Sequence, residues 1–409
     1  MKREARDFRE TAPKPVKRIP LEVRRPGLRL ILTILALAVA AGAFYYAFGR
    51  LTRVEPGWTV LEADGAAGTS AAADFTLQVE LGAGSEAPLT ERKRLTGVYS
   101  SAARDAYTLY TTQEYLDGVS NLWYINHHPG EDIRLDERLY RSLAESLSSG
   151  NWLYLGPVYE LWDSVYFSRE DREAEAADPR KDPETAALAE RMTDYIRAGA
   201  VSLELKENNC VRLAISPEYR SFGEEYGITR WIDFGWQKNA YIADDMAEAL
   251  TAAGWDKAVL SSKDGFIRCL DGRGAFALNL FADADGRVKQ AALAEYRGPG
   301  ALMMLLPSPG GDRSFSYRYR DGTLRTPWIS TLNGLDAKPV DGLAAFSKQE
   351  GCASLLQRFL DCLTREDTAE DQWKESAGED CAVWTAEGGV LSTPAGDLFR
   401  IAEAASGQE

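Results

Sequence analysis

The sequence predicts an α+β fold, a single mixed domain behind one N-terminal transmembrane helix. Three observations predict it. Residues 30–49 form a run of 20 without a charge, fenced by Arg29 and Arg50. Beyond that run, period-two alternation and i, i+3, i+4 apolar spacing intermix without strict strand-helix alternation, which argues against a doubly wound parallel sheet. No period of roughly 20–50 residues repeats, which excludes solenoids and propellers. With 409 residues and 45% hydrophobic content the chain has the material for a substantial core.

The apolar run comes first in the chain. At about 1.5 Å per residue, a helix of that length reaches roughly 30 Å, the thickness of bilayer hydrocarbon. Phe44, Tyr45 and Tyr46 fall where an interfacial aromatic belt lies. Residues 1–29 hold ten Lys and Arg against four Asp and Glu, while the whole chain carries −15, so everything after this arm is strongly acidic. That asymmetry places the N-terminus in the cytoplasm and the large domain outside a bacterial cell membrane. A cleaved signal peptide is the rival reading, with Ala-x-Ala at 36–38 and at 38–40. The 29-residue leader and the long apolar run exceed what such a peptide needs, so an uncleaved single-pass anchor in membrane lipid is expected. The chain thus divides into a basic cytoplasmic arm (1–29), a transmembrane helix (30–49), a linker (50–73), an extracytoplasmic domain (74–402) and a tail (403–409).

Residues 75–81 alternate Phe75, Leu77, Val79 and Leu81 with polar neighbours, a half-buried strand. Residues 86–117 show no clear period. Leu135, Leu139, Leu143 and Leu147 predict an amphipathic helix over 133–149, with Asp136 in its first turn and Ser148-Ser149-Gly150 at its end. Residues 151–162 are aromatic and apolar on all sides and belong in the interior. Residues 168–191 are the most charged part of the domain and read as a solvated loop, leading into a helix over 184–196 with Asp182 as cap and Pro183 at its first position. A hairpin joins 201–205 to 211–215 around Glu207-Asn208-Asn209. In residues 231–255, Ile242, Met246, Ala249, Leu250 and Ala253 draw one apolar stripe on a helix that Gly254 ends, and Ala258-Val259-Leu260 follows at once. Further hairpins are expected from 265–270 and 275–281, and from 313–319 turned at Asp321-Gly322. A last helix over 352–363 carries Leu355, Leu356, Phe359 and Leu363 on one face, and Ala382-Val383-Trp384 and Val390-Leu391 flank a turn at 387–389.

Several chemistries are excluded early. Cys210, Cys269, Cys352, Cys362 and Cys381 are too scattered for a disulfide framework and offer no Cys-x-x-Cys pair. His127 and His128 are adjacent, read as surface histidines in a polar loop, and make no zinc-protease motif. An acidic domain lacks the basic face that nucleic acid requires. The entry to the helix at 238 keeps one option open, because a loop that brings backbone N–H groups to a helix start can cradle a phosphate. A packed helix with a glycine in its entry turn is the plainer alternative.

The order of parts then becomes informative. A leucine-spaced helix, a Gly156-Pro157 segment ending in Leu161-Trp162, a hairpin, Asp233-x-Gly235 before a helix bearing Tyr241, Ala243 and Asp244, and a Gly265-x-Ile267-Arg268 strand stand in sequence. Over residues 75–400 this resembles the FAD:protein FMN transferase (ApbE) family, whose pattern D-L-G-G-I-A-K-G-Y-A-A-D aligns with residues 233–244 without a gap. A looser match runs from Ser120 to Asn126. The resemblance implies an ApbE-like, flavin-transferase-type ectodomain that binds FAD, uses Mg²⁺ to polarise its pyrophosphate, and passes FMN to a Ser or Thr of a membrane or envelope protein. Asp233, Gly235, Tyr241, Asp244, Ser120 and Asn126 are the cofactor-binding candidates it implies.

The metal positions depart from the family pattern. Where that pattern reads A-D-A-L-A-T-A-L, this chain has Ala353 for the Asp and Gln357 for the Thr, with Arg358 next. Pro327 and Ser330 stand for the family's His and Asp, and Trp236, Asn239 and Ala240 for its second Gly, its Lys and its next Gly. Magnesium needs carboxylate or substrate oxygens, which an alanine cannot supply. No metal ligand is therefore assigned. The expected function is a degenerate, membrane-anchored relative that binds a flavin nucleotide or a partner. Active Mg²⁺-dependent transfer of FMN from FAD is the first alternative, and an unrelated envelope structural protein the second.

Overall fold

The computed structural model describes residues 26–51, 54–63, 70–284, 287–305, 316–338, 340–365, 368–392 and 399–403. The chain divides into two units, Met1–Val54 and Glu55–Glu409. In the first, one helix, α1 (Pro26–Leu51), contains Leu30–Ala47, with a mean hydropathy of 2.1 and no buried residue, long and apolar enough to cross a membrane.

The second unit opens with β1 (Gly57–Leu61), α2 (Ser70–Asp74), β2 (Phe75–Leu81) and α3 (Pro88–Tyr110). Then come α4 (Leu122–His127), β3 (Ile133–Arg134), α5 (Glu137–Ser148), α6 (Gly156–Tyr166), α7 (Asp171–Ala176), α8 (Pro183–Arg197), β4 (Val201–Lys206), β5 (Cys210–Ile215) and α9 (Pro217–Tyr226). After α10 (Lys238–Ala252) the chain is mostly strand: β6 (Ala258–Ser262), β7 (Phe266–Cys269), β8 (Ala275–Ala284), β9 (Arg287–Arg297), β10 (Gly300–Leu305), β11 (Tyr317–Arg318), β12 (Leu324–Arg325) and β13 (Leu343–Ser347). It closes with α11 (Cys352–Leu363), α12 (Glu370–Ala377), β14 (Cys381–Thr385), β15 (Gly389–Ser392) and β16 (Phe399–Glu403).

The centre is an eight-stranded antiparallel sheet in the order β1-β2-β6-β7-β10-β13-β14-β15. Alternate residues face opposite sides. On one face Leu77, Leu260, Phe266 and Met303 are buried on the side of α3, α10 and α11. The opposite face, with Val259, Ile267, Leu302, Phe346 and Trp384, packs on the three-stranded sheet β16-β9-β8 through Leu280, Ala294, Tyr296 and Phe399. A smaller sheet, β3-β5-β4, stands apart from it.

The apolar stripes explain the helices that position the site. Ile242, Met246 and Leu250 are buried along α10, which ends at Gly254 with φ +83°. Along α11 the buried set is Leu355, Leu356, Phe359 and Leu363. Asp182 caps α8 by accepting from the Thr185 N–H at 3.0 Å. The β4–β5 turn puts Asn208 at φ 60° and Asn209 at φ 57°, the left-handed pair of a tight hairpin.

Other expectations are corrected. The linker segment 50–73 contains β1, which pairs with β2 in register Leu61↔Leu77. The helix expected from 133 starts at Glu137, because Ile133–Arg134 pairs with β5 and the Asp136 side chain accepts from the Arg138 N–H at 3.0 Å as its cap. The charged stretch 168–191 is not wholly solvated: it holds α7, and Asp178 is completely buried. Residues 265–270 and 275–281 do not pair with each other, since β7 lies between β6 and β10 whereas β8 pairs with β9. His127 and His128 end a helix rather than sit in a loop, each ring stacked on the aromatic four residues earlier, Trp123 and Tyr124. Of the hairpin expected from 313, residues 313–315 lie outside the described residues. All five cysteines are free thiols.

Candidate functional site

The loop 229–237 is built almost entirely by hydrogen bonds from elsewhere. Glu160 on α6 accepts from the N–H groups of Thr229 (2.9 Å) and Arg230 (3.1 Å). Asn126 accepts from the N–H groups of Trp231 and Ile232, both at 2.9 Å, and donates to the Ile232 carbonyl at 2.9 Å. Gly156 lets this backbone approach, because a Cβ there would lie 2.6 Å from the Arg230 carbonyl oxygen. The chain then turns at Gly235, φ +55°, where a Cβ would meet the Tyr159 ring at 2.6 Å, and the Asp233 carboxylate accepts from the Gly235 N–H at 2.9 Å. From that turn Trp236 projects inward and α10 begins.

Trp236 stands between two cavities. The first, an outer cleft of about 390 Å³, mixes charged and aromatic side chains: Thr112, Asp163, Arg230, Asp233, Gly235 and Lys238 reach it beside Tyr107, Tyr159 and Trp162, and Pro327 completes its lining. Arg230 bridges Asp163 at 2.7 Å and Asp233 at 3.4 Å, and the Thr112 hydroxyl donates to Asp233 at 3.4 Å. Burial pushes the Asp163 carboxyl up, against the pull of the Arg230 guanidinium. The cleft therefore presents fixed charge of both signs.

The second is an inner cavity of about 380 Å³, walled by Trp236, Phe276, Tyr296 and Trp328 with Ser261 and Asp264. Trp236 and Trp328, only 4% and 5% exposed, meet edge to face with ring centroids 6.3 Å apart. The Asn239 amide donates to Asp264 at 2.9 Å, while the Oδ1 atoms of both side chains are closed off from solvent without a partner. Burial pushes the Asp264 carboxyl up to about 6. Because that value lies above the 3.8 of a free side chain, the folded state binds the extra proton, and the resulting stability is present below about pH 4 and lost as pH rises through about 6. Asp264→Asn is expected to flatten the stability profile between pH 4 and 7 by up to about 3 kcal/mol, read from urea midpoints at each pH.

A third, shallow hollow lies on the far side of α10, where Tyr241, Asp244 and Arg268 meet the start of α11. Asp244 accepts from the N–H groups of Cys352 (2.8 Å) and Ala353 (2.9 Å) and pairs with Arg268 at 2.7 Å. Burial raises its pKa in spite of these three donors. The Gln357 amide donates to the Tyr241 hydroxyl at 3.0 Å, and Arg358 is forked onto Glu350.

This donor set does not fit a magnesium ion. Ala353 has no side-chain oxygen, Gln357 is engaged, and Asp361 is exposed two turns along the helix instead of at its start. Among the described residues no group of three or more His, Cys, Asp and Glu side chains is placed to hold a metal.

The six candidate cofactor residues do not converge. Asp233 and Gly235 line the outer cleft, and Tyr241 and Asp244 the hollow across α10. Asn126 is spent on the loop backbone, and Ser120 lines none of the three cavities. Sequence reasoning missed Asp163, Arg230 and Asp264. Arg230 and Asp233 are three residues apart in the loop, but nothing in the sequence marks Asp163, on helix α6, as their partner.

An antiparallel sheet with helices on one face, a second sheet on the other and clefts at the start of α10 defines an α+β fold. Solved structures show which: the fold is that of ApbE. The chain is similar to the flavin transferase ApbE from Vibrio cholerae, with a TM-score of 0.54 and 14% identity over 86% of this chain and 98% of that one. It is also similar to the ApbE protein from Thermotoga maritima, with a TM-score of 0.51 and 15% identity over 85% and 97%. No protein-family model and no curated protein matches the sequence.

Proposed function

We propose that this chain is a membrane-anchored, extracytoplasmic binding protein on the ApbE fold, degenerate in its magnesium chemistry. One observation carries the reading: the start of α11, where the resemblance expects a metal-holding carboxylate, has Ala353, and its free N–H groups are taken by Asp244. The cation that would neutralise charge on a transferred phosphoryl group has no ligands of its own there. Trp236 supports the same reading, since it fills the space a glycine would leave for a pyrophosphate. The likeness of fold speaks against an unrelated envelope structural protein. It also keeps active FMN transfer as the competing reading, because Asp233, Gly235 and Asp244 are retained.

Titrating FAD into the full chain in lipid nanodiscs, with Mg²⁺ and then with EDTA, separates the two. Flavin affinity is expected to be unchanged within about twofold, since a tenfold change equals about 1.4 kcal/mol of metal-linked binding. A gain of tenfold or more with Mg²⁺ overturns the proposal.

A further inference from the structure

The end of the eight-stranded sheet where the chain enters it carries an exposed patch remote from the clefts. Pro56 and Pro88 both crowd Gly82, where a Cβ would lie 2.7 Å from the first and 3.1 Å from the second, so the start of β1 and the start of α3 share one rim. Trp58 stands on that rim, 46% exposed, and Phe276 holds it edge to face with ring centroids 5.8 Å apart. Of the ten tryptophans eight are buried and Trp123 is half-buried, which leaves Trp58 the most exposed. Val60 follows on the same side of β1, and Leu89 opens α3; both are exposed.

Arg92 and Lys93, on the next turn of α3, are exposed and make no ion pair among the described residues. The acids beside them are engaged elsewhere: Glu86 pairs with Arg94 at 3.1 Å, and buried Glu91 accepts from the Gly82 N–H at 2.6 Å. Glu55, exposed next to Pro56, offsets them only in part. The chain beyond its basic arm is strongly acidic, so anionic lipid repels most of it while drawing these two cations in. A tryptophan with aliphatic neighbours and cations is the composition that settles between headgroups and acyl chains. The length of the tether selects the occupant. Residues 52–56 join Leu51 of α1 to Gly57 of β1, and even fully extended they reach at most about 20 Å.

We infer that this rim docks on the bilayer that holds the chain's own helix, with Trp58, Val60 and Leu89 in the headgroup region and Arg92 and Lys93 on anionic lipid phosphates. This rests on the reading of α1 as a membrane anchor. Docking by this rim turns the clefts away from the lipid. β2 pairs with β6 in register Val79↔Ala258 and Phe75↔Ser262, so the loop that carries Asp264 and meets Asn239 at the start of α10 lies at the opposite end of the strands. A ligand or partner then reaches the clefts from the extracytoplasmic space.

The test is quenching of tryptophan fluorescence by lipids brominated high in the acyl chain, with the full chain in nanodiscs of phosphatidylcholine with or without phosphatidylglycerol. The arm and α1 contain no tryptophan, so the anchor itself gives no signal. Quenching of the parent is expected to be stronger in the anionic discs by about twofold or more. Trp58→Phe is expected to lose most of it, and the double variant Arg92→Glu, Lys93→Glu to bring the anionic discs down to the zwitterionic level. Quenching that survives Trp58→Phe in full, that is equal in the two lipids, or that the charge reversal leaves unchanged would each overturn the inference. Co-elution with the discs is read from the same sample. A chain that does not co-elute overturns the anchor and the docking together; a co-eluting chain without quenching overturns the docking alone.

Discussion

Gly265→Ala is expected to leave the domain unable to fold. Gly265 turns β6 into β7 at φ +101°, a conformation that L side chains rarely adopt. A Cβ there would lie 1.8 Å from the Met304 carbonyl oxygen, a backbone atom, so no side-chain rotation relieves the clash. The Met304 N–H in turn donates to the Gly265 carbonyl at 2.8 Å, which locks the turn against the adjacent strand β10. Relief therefore requires separating two strands in the middle of the eight-stranded sheet. The expected loss exceeds about 4 kcal/mol, in the tail of single-substitution effects, and would show as a collapsed urea midpoint or as insoluble protein. An unchanged midpoint would mean that the turn is built differently.

The second large effect is at Asp178, which lies between α7 and α8. The hydroxyl of Tyr166 donates to it at 3.0 Å and that of Tyr319 at 3.1 Å; the Arg180 N–H donates at 2.8 Å and the Arg325 guanidinium at 2.9 Å. Tyr319 and Arg325 belong to the β11–β12 hairpin, just before Pro327 and Trp328, so this one carboxylate ties the wall of both cavities to helix α6 and to the turn that precedes α8. Asp178→Ala leaves Arg325, 14% exposed, without its main counter-charge, and a loss of about 3–5 kcal/mol is expected. Burial alone would push the Asp178 carboxyl up, but the hydrogen bonds from Arg325 and the Arg180 N–H outweigh it and hold the pKa below 3.8. Its contribution is thus present above about pH 4 and lost as pH falls below that, opposite in sign to the contribution of Asp264. Urea midpoints of Asp178→Ala at neutral pH and below pH 4 check both statements; the difference from the parent should shrink in acid.

Much of the fold could be read from residues that bury a single face. α10 and α11 carry Leu, Ile, Met and Phe at helical spacing, and their limits follow from those stripes. α3 escaped because its buried stripe, Leu95, Tyr99, Ala102, Ala103, Ala106, Leu109 and Tyr110, is built mostly of Ala and Tyr within a polar segment. In β9, Gln290-Ala291-Ala292-Leu293-Ala294-Glu295 has helix-forming composition, yet it is a strand because β8 and β16 pair on either side of it. Tertiary pairing overrides local propensity there. The hairpin wrongly drawn between β7 and β8 has the same origin: each segment alternates correctly, and only the sheet decides its partner.

The site was legible only as far as the Asp233–Asp244 stretch. Its glycine turn, Trp236 and the start of α10 are local features and could be placed. Tyr241 and Asp244 look alike in sequence to cofactor residues, but the helix turns them away from Asp233 and Gly235, into a different hollow. The Asp163–Arg230 and Asn239–Asp264 pairs join segments that only tertiary packing brings together.

Whether this ApbE fold lacks magnesium-dependent transfer is decided by the reaction itself. The full chain in nanodiscs is incubated with FAD, Mg²⁺ and an acceptor protein carrying the Ser/Thr motif recognised by active transferases, with an active ApbE as positive control. AMP release and covalent flavin on the acceptor are followed together. Neither product is expected above the level without enzyme, while the control yields both in equal amounts; stoichiometric AMP and acceptor-bound FMN from this chain would overturn the binding-protein reading.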